Sequence, residues 1–169
     1  MDHSHIIEKL RDNQLVFEHL FSNKTKKEYL WKPGPEKWCL LEILCHLIDE
    51  EKEDFRYRTA SVLADPQKPL PMINPLGWVA ERKYMQQDFI THLRLYSEER
   101  AKSVEWLSSL QKPPWDNAYL HPKLGALTAE FFLTNWLAHD YLHIRQIEKV
   151  AYLFLRKSTG IDVSYAGNL

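Results

Sequence analysis

Residues Asn135–Glu148 read NWLAHDYLHIRQIE, and this stretch decides how the chain is interpreted. Its apolar residues recur at helical spacing, and His139 and His143 stand four residues apart on the same stripe. At about 100° per residue, both imidazoles lie in the middle of the apolar face rather than at its polar edge. The stretch therefore predicts a packed amphipathic helix whose buried face carries two side chains able to bind a metal ion.

Three further periodic segments precede this helix. Apolar spacing predicts helices over residues 4–22, 39–64 and 78–110, and a last one from 128 past 150, as far as about 157. Proline-rich stretches separate them, and no convincing strand pattern is present. Four helices of this length predict an all-α four-helix bundle. We expect one domain over residues 1–169, with its core at about 5–155.

Composition limits the possible partners and the location of the protein. The chain has 169 residues, with 22 Lys+Arg against 23 Asp+Glu, so its net charge of −1 offers no field for nucleic acid or an anionic membrane. It lacks a run of about 18 apolar residues and the layout of a signal peptide. Cys39 and Cys45 point about 240° apart on one helix and cannot bridge. We expect a soluble cytoplasmic protein with a buried free thiol at Cys45.

The spacing of His139 and His143 has two interpretations. Imidazoles one helical turn apart can converge on one metal ion. With eight histidines in the chain, however, such a pair arises by chance in roughly one chain in three. Burying two neutral imidazoles is unfavourable unless each finds a hydrogen bond or a metal. From this helix alone, a metal-binding pair and a pair of hydrogen-bonded core histidines are equally open.

The second predicted helix offers His46 as a third ligand. Its face also carries Cys39, Glu42 and Glu50, so it is either a solvated acidic surface or the lining of a water-filled cleft. Glu50 lies one turn beyond His46 and is our candidate for a fourth ligand or a catalytic general base. Its place in the acidic run DEEKED also fits a solvated carboxylate.

Three other residues could influence such a site. Asp140 lies about 100° from His139 on the helix, which favours a salt bridge at its edge. Gln146 shares the face of His143 and is expected to orient the imidazole or to hydrogen-bond within the core. A free amine followed by Asp-His can also chelate copper or nickel through His3 and backbone nitrogens.

Two motifs resemble those of a known family, the DinB-like (DinB/YfiT) superfamily. KPGPEKWCLLEILCHLIDEEKEDFR resembles the superfamily's Trp-Ser/Thr-xx-Glu-xxx-His stretch. The matching residues are Trp38, Cys39, Glu42 and His46. HPKLGALTAEFFLTNWLAHDYLHIRQI resembles the second signature, His-xxx-His followed by Arg-Gln. The order of the motifs and the long helix between them also match.

The resemblance implies an up-up-down-down four-helix bundle with a metal ion held by His46, His139 and His143. One position departs from the family pattern. Cys39 stands where the family usually has Ser or Thr as the N-cap, and a thiol is a poor acceptor, so the start of this helix is expected to be less well capped.

Three neutral imidazoles with an open fourth position are typical of a catalytic zinc site; nickel and iron are further options. Characterised DinB-like proteins include transferases and isomerases that use bacillithiol or mycothiol. The resemblance therefore implies a thiol-dependent S-transferase that acts on a small electrophile with a low-molecular-weight thiol as cosubstrate. A metal-dependent hydrolase and a non-catalytic bundle that binds a metal or small ligand remain alternatives. Family members often pair, so a homodimer is also considered.

Overall fold

The computed structural model describes residues 2–167, and these form a helical bundle with one small hairpin. The first half contains α1 (His3–Phe21), α2 (Lys26–Tyr29), α3 (Leu40–Asp49), a π-helical turn (Glu50–Phe55), α4 (Arg56–Ala64) and α5 (Pro75–Glu81). The second half contains a 3-10 turn (Tyr84–Gln86), α6 (Phe89–Ser109), β1 (Ala118–His121), β2 (Gly125–Thr128), α7 (Ala129–Thr159) and a second 3-10 turn (Ser164–Ala166).

Four long helical segments make the bundle, and the prediction of an all-α four-helix bundle is confirmed. They are α1, the continuous run from α3 through the π turn to α4, α6 and α7. Helix α1 packs against α6 and α7, while the α3–α4 run packs against the same two helices from the other side. Long connections join all four segments, over residues 22–39, 65–88 and 110–128.

The predicted helix over residues 78–110 is wrong in its first part. Asn74 caps the separate helix α5, and the chain then turns at Lys83, whose φ of 50° is left-handed. Asp88 begins α6, because its side chain accepts the Thr91 N–H at 2.8 Å. The helix that bears His139 and His143 runs on to Thr159, where Gly160 ends it in the left-handed conformation.

A two-stranded hairpin lies in a stretch for which no strand was predicted. β1 and β2 pair antiparallel, from Ala118 opposite Thr128 to His121 opposite Gly125. The Nδ1 atom of His121 accepts the backbone N–H groups of Lys123 and Leu124, each at 3.1 Å, which fixes the turn. Thr128 then caps α7 through the Phe131 N–H, so the hairpin positions the start of that helix.

The interior contains three apolar clusters, of which the smallest consists of Val62, Leu127, Ala129 and Phe132. Polar side chains separate the two larger clusters. Members of one cluster are Phe17, Ile48, Tyr96 and Ile147, with many α3 residues. Members of the other are Leu10, Phe55, Val104, Leu133 and Trp136. Each long helical segment contributes to both clusters and places polar residues between them. Within residues 2–167, no helix has the length and apolar character needed to cross a membrane.

Candidate metal site

Three histidines from two helices converge in the polar region between the apolar clusters. His46 extends from α3, and His139 and His143 extend from α7. The Nε2 atom of His139 lies 3.2 Å from that of His46 and 3.0 Å from that of His143. Three nitrogens bound tetrahedrally to zinc at about 2.0–2.1 Å would be about 3.3 Å apart. The observed spacing is therefore close to that of a zinc site with three imidazole ligands.

All three imidazoles are held in the neutral form. Burial lowers the pKa of His46 to about 3 and that of His139 to about 2. Burial also lowers the pKa of His143, although the neighbouring Gln146 side chain partly opposes this shift. Neutral imidazole is the form that binds a metal, so no proton has to be displaced from these rings at neutral pH.

The ring nitrogens can be divided into an inner and an outer set. Within residues 2–167, the buried outer Nδ1 atoms of His46 and His143 have no partner at hydrogen-bond distance. Hydrogen-bonded core histidines and metal-binding histidines both normally have this atom satisfied, so the outer set does not separate the two interpretations. The inner Nε2 atoms lie close enough together to hold one metal ion.

Glu50 lies on the far side of the His46 ring from the Nε2 cluster. Its Oε1 atom is 3.9 Å from His46 Nδ1, and among the described residues this oxygen also has no hydrogen-bond partner. Two unsatisfied buried atoms therefore face each other across a short gap. A carboxylate that accepts the Nδ1–H of a metal-binding histidine is a common arrangement, since it fixes the orientation of the ring.

The acidic face of the second predicted helix is buried, not solvated. Glu50 is only 4% exposed, and burial, followed by the negative charge of Asp54, raises its pKa to about 8. Glu42 is also buried; it accepts the Cys39 N–H at 2.9 Å and pairs with Lys32 at 2.6 Å. This face therefore lines the interior beside the histidines.

Two adjacent acids at the start of the π-helical turn are buried on different sides of it. Glu50 faces His46, whereas Glu51 faces the opposite apolar cluster. At helical spacing Glu51 lies about 140° from His46, on the side of the helix that carries the buried residues Leu47 and Ile48. Turns of the π type are frequent at functional sites.

Buried ionic contacts form a layer directly beside the histidines. The layer consists of Asn13 on α1, Glu51 on the π turn, Arg100 on α6 and Asp140 on α7, and we call it the polar layer. Asp140 does form the expected salt bridge, but it is fully buried rather than at an edge. Arg100 and Glu51 were not predicted as site residues. The available signal was an arginine placed between the apolar residues of the α6 stripe.

Aromatic side chains enclose the histidines, and a groove reaches one of them. The half-buried Trp38 ring lies 4.8 Å from His46, and Phe55 lies 5.0 Å from His139, between ring centroids. A groove of about 650 Å³ adjoins His143. Its lining residues are Leu142, His143, Arg145, Gln146 and Lys149.

The remaining candidates have other roles. Both cysteines are buried free thiols, as expected for Cys45, and burial raises the pKa of Cys39 to about 11 and of Cys45 to about 12. They are poor nucleophiles for that reason. The His3 imidazole lies 3.2 Å from Glu130 and stacks on Trp115. Terminal chelation also needs the first residue, which lies outside the described part of the chain.

Comparisons with known proteins agree with this description. A family model described as the DinB superfamily matches residues 9–147. A solved structure, YfiT from Bacillus subtilis, described as a probable metal-dependent hydrolase with an unusual four-helix bundle topology, superposes with a TM-score of 0.78. It is 16% identical, and the match covers 95% of this chain and 89% of that one, so the likeness concerns the fold. No curated protein matches the chain.

Proposed function

The chain belongs to the DinB superfamily, and we propose that it is a mononuclear metal-dependent enzyme whose ion is held by His46, His139 and His143. The observation that carries the proposal is the convergence of the Nε2 atoms of three neutral imidazoles, with spacings of 3.0 and 3.2 Å from His139. Besides the three ligands, a catalytic metal site needs an open coordination position for water or substrate. The groove beside His143 offers a route to it.

Zinc is the proposed ion, because imidazole ligation and near-tetrahedral spacing suit it, and nickel or iron would also bind such ligands. Held by uncharged ligands, a divalent ion stays strongly Lewis acidic and lowers the pKa of a thiol or water molecule that binds it.

We propose that Glu50 accepts the Nδ1–H of His46, and the role of general base stays a prediction, because Glu50 lies on the far side of this ring from the Nε2 cluster. A general base works best with a pKa near the operating pH, and burial raises the pKa of Glu50 to about 8. Its distance of 3.9 Å from His46 Nδ1 places it beside the ligand set. In the same position it can accept the Nδ1–H of His46 and keep Nε2 directed at the ion.

Thiol transfer to a small electrophile is the proposed reaction, with a low-molecular-weight thiol as the second substrate. The family resemblance favours it, and exposed Arg145 and Lys149 on the groove would attract an anionic thiol or electrophile. Hydrolysis is the second candidate, favoured by the description of YfiT as a probable metal-dependent hydrolase. A homodimer and a cytoplasmic location stay predictions.

The two reactions can be separated in one set of assays. The protein is stripped with a chelator, reloaded with zinc, nickel or ferrous iron, and tested with a chromogenic electrophile plus bacillithiol or cysteine, and with chromogenic esters. Thiol conjugation that requires metal and is lost in His143→Ala supports the proposal, and His92→Ala, outside the ligand set, serves as control. Metal-dependent ester cleavage alone would favour a hydrolase. If the metal-loaded protein shows neither activity, the result would indicate a non-catalytic bundle that binds a metal or small ligand.

A further inference from the structure

We infer that Arg100 is a positioning residue of the metal site, which fixes the separation of the two helical segments that carry the histidines. The inference rests on the proposed metal site and concerns how the chain builds it. Arg100 belongs to a third helix, α6, and does not touch the proposed ion.

Arg100 binds both ligand-bearing segments at once. Its guanidinium donates to Asp140 on α7 through Nη1 at 2.7 Å and Nη2 at 2.8 Å. On the π turn, Nε lies 3.0 Å from Glu51 Oε1 and Nη2 lies 2.9 Å from Glu51 Oε2. A further bond runs from Nη1 to the Leu10 carbonyl at 3.1 Å. The side chain is 1% exposed, so these contacts are shielded from water.

Each carboxylate lies within about one helical turn of a proposed ligand. Asp140 follows His139 directly, and Glu51 comes five residues after His46 on the same continuous run. A shift of either carboxylate therefore displaces a ligand on the same rigid segment. The planar, forked guanidinium fixes both distance and angle between the carboxylates, which a lysine ammonium could not do.

Asn13 of the polar layer and the neighbouring Trp136 support the same two carboxylates. Asn13 donates to Asp140 Oδ2 at 3.0 Å, and the Trp136 indole N–H donates to Glu51 Oε2 at 2.9 Å. A buried ion pair adds little net stability compared with apolar packing, because its groups must be desolvated. A role in fixing geometry accounts for its position beside the histidines better than a role in stability alone.

Positioning and simple electrostatics predict opposite results when Arg100 is replaced. Removal of a buried cation beside the histidines leaves the carboxylates uncompensated, and electrostatics alone would then strengthen binding of a divalent cation. Loss of positioning would weaken it. Arg100→Lys keeps the charge and removes the fork, so it isolates the geometric contribution.

The test compares zinc affinity and the visible spectrum of the cobalt-substituted protein for the parent and Arg100→Lys. We expect about tenfold weaker zinc binding by chelator competition, as for other residues that orient metal ligands, and an altered cobalt d–d spectrum. Arg56→Lys is the matched control. It changes an arginine that bonds Glu99 and Ser103 on the same helix α6 but makes no such bond to α7.

A spectroscopic change is required because loss of stability alone would not alter the coordination geometry of the folded fraction. Should Arg100→Lys fail to fold, Trp136→Phe keeps an aromatic ring in the core, loses the hydrogen bond to Glu51 and part of the packing, and should weaken zinc binding about threefold. The inference would be overturned if the variant that folds has the same zinc affinity and the same cobalt spectrum as the parent. If His46→Ala binds zinc as tightly as the parent does, the proposed site itself would be overturned instead.

Discussion

The Nε2 atom of His46 on α3 lies 3.2 Å from the Nε2 atom of His139 on α7, although 93 residues separate them in the chain. His143, one turn further along α7, completes the cluster at 3.0 Å from His139. Two packed helices thus supply three neutral nitrogen ligands without any loop. Ligands on helices are held more precisely than ligands on loops, which suits a site that must keep one position open.

Acidification should destabilise the metal-free protein. Burial lowers the pKa of His46 to about 3 and of His139 to about 2, from an ordinary value of 6.5. Between the folded and unfolded pKa values, the unfolded chain binds more protons than the folded protein does. The free energy of unfolding therefore falls as the pH falls below 6.5, by about 1.4 kcal/mol per pH unit for each such histidine. Urea unfolding of chelator-treated protein across this range measures the slope. His139→Gln should reduce this slope. An unchanged slope would contradict the assignment of His139 as a buried, neutral imidazole in the folded protein.

Glu50→Gln should separate stability from activity. The folded state keeps the Glu50 carboxyl proton up to a pKa of about 8, whereas the unfolded chain releases it near 4.5, so stability is lost as the pH rises between these values. The neutral amide removes this loss. We expect the metal-free variant to be more stable than the metal-free parent at pH 8 and equally stable near pH 4.5. In the metal-loaded variant, kcat should be reduced about 100-fold or more.

Glu53→Gln is the matched control for this prediction. Glu53 belongs to the same π turn, but it is hydrogen-bonded to Arg82, and that bond lowers its pKa. Its replacement should decrease stability at neutral pH and leave kcat nearly unchanged. Full activity of Glu50→Gln would exclude Glu50 as the proton acceptor.

Trp38→Ala should make the metal easier to remove. The half-buried indole lies 4.8 Å from the His46 ring and limits the access of water to it. The apolar shell around a metal site controls solvent access, so we expect about tenfold faster zinc removal by a chelator under stopped-flow conditions. Trp31→Ala, which removes an indole packed on Phe154, is the control. Equal rates in Trp38→Ala and the parent would show that Trp38 does not protect the site.

The convergence of the three candidate metal-binding histidines could be predicted because the signal of each motif is local. His139 and His143 are one turn apart on a regular helix, and His46 lies in a motif that resembles that of a known family. The start of α6 could not be read from spacing, because the break depends on one left-handed residue, Lys83. The hairpin from Ala118 to Thr128 has only four residues in each strand, too few for a clear alternation.

The polar layer was missed for a different physical reason. A helical period places Glu51 away from His46, on the side of the helix that carries Leu47 and Ile48, but a carboxylate in an acidic run gives no reason to expect it in the interior. Burial of Arg100 is favourable only because carboxylates from two other segments meet it, and such partners are distant in sequence. Periodicity describes one helix at a time and cannot reveal a layer that four helices build together.

Metal content of the purified protein, measured beside His46→Ala, tests the central claim most directly. Zinc, nickel and iron should be quantified after expression with each metal supplied, with His3→Ala included to remove the N-terminal imidazole and His92→Ala as a further control. We predict about one equivalent of metal in the parent and both controls, and little in His46→Ala. Equal metal in all four proteins, or none in any of them, would contradict a site formed by His46, His139 and His143.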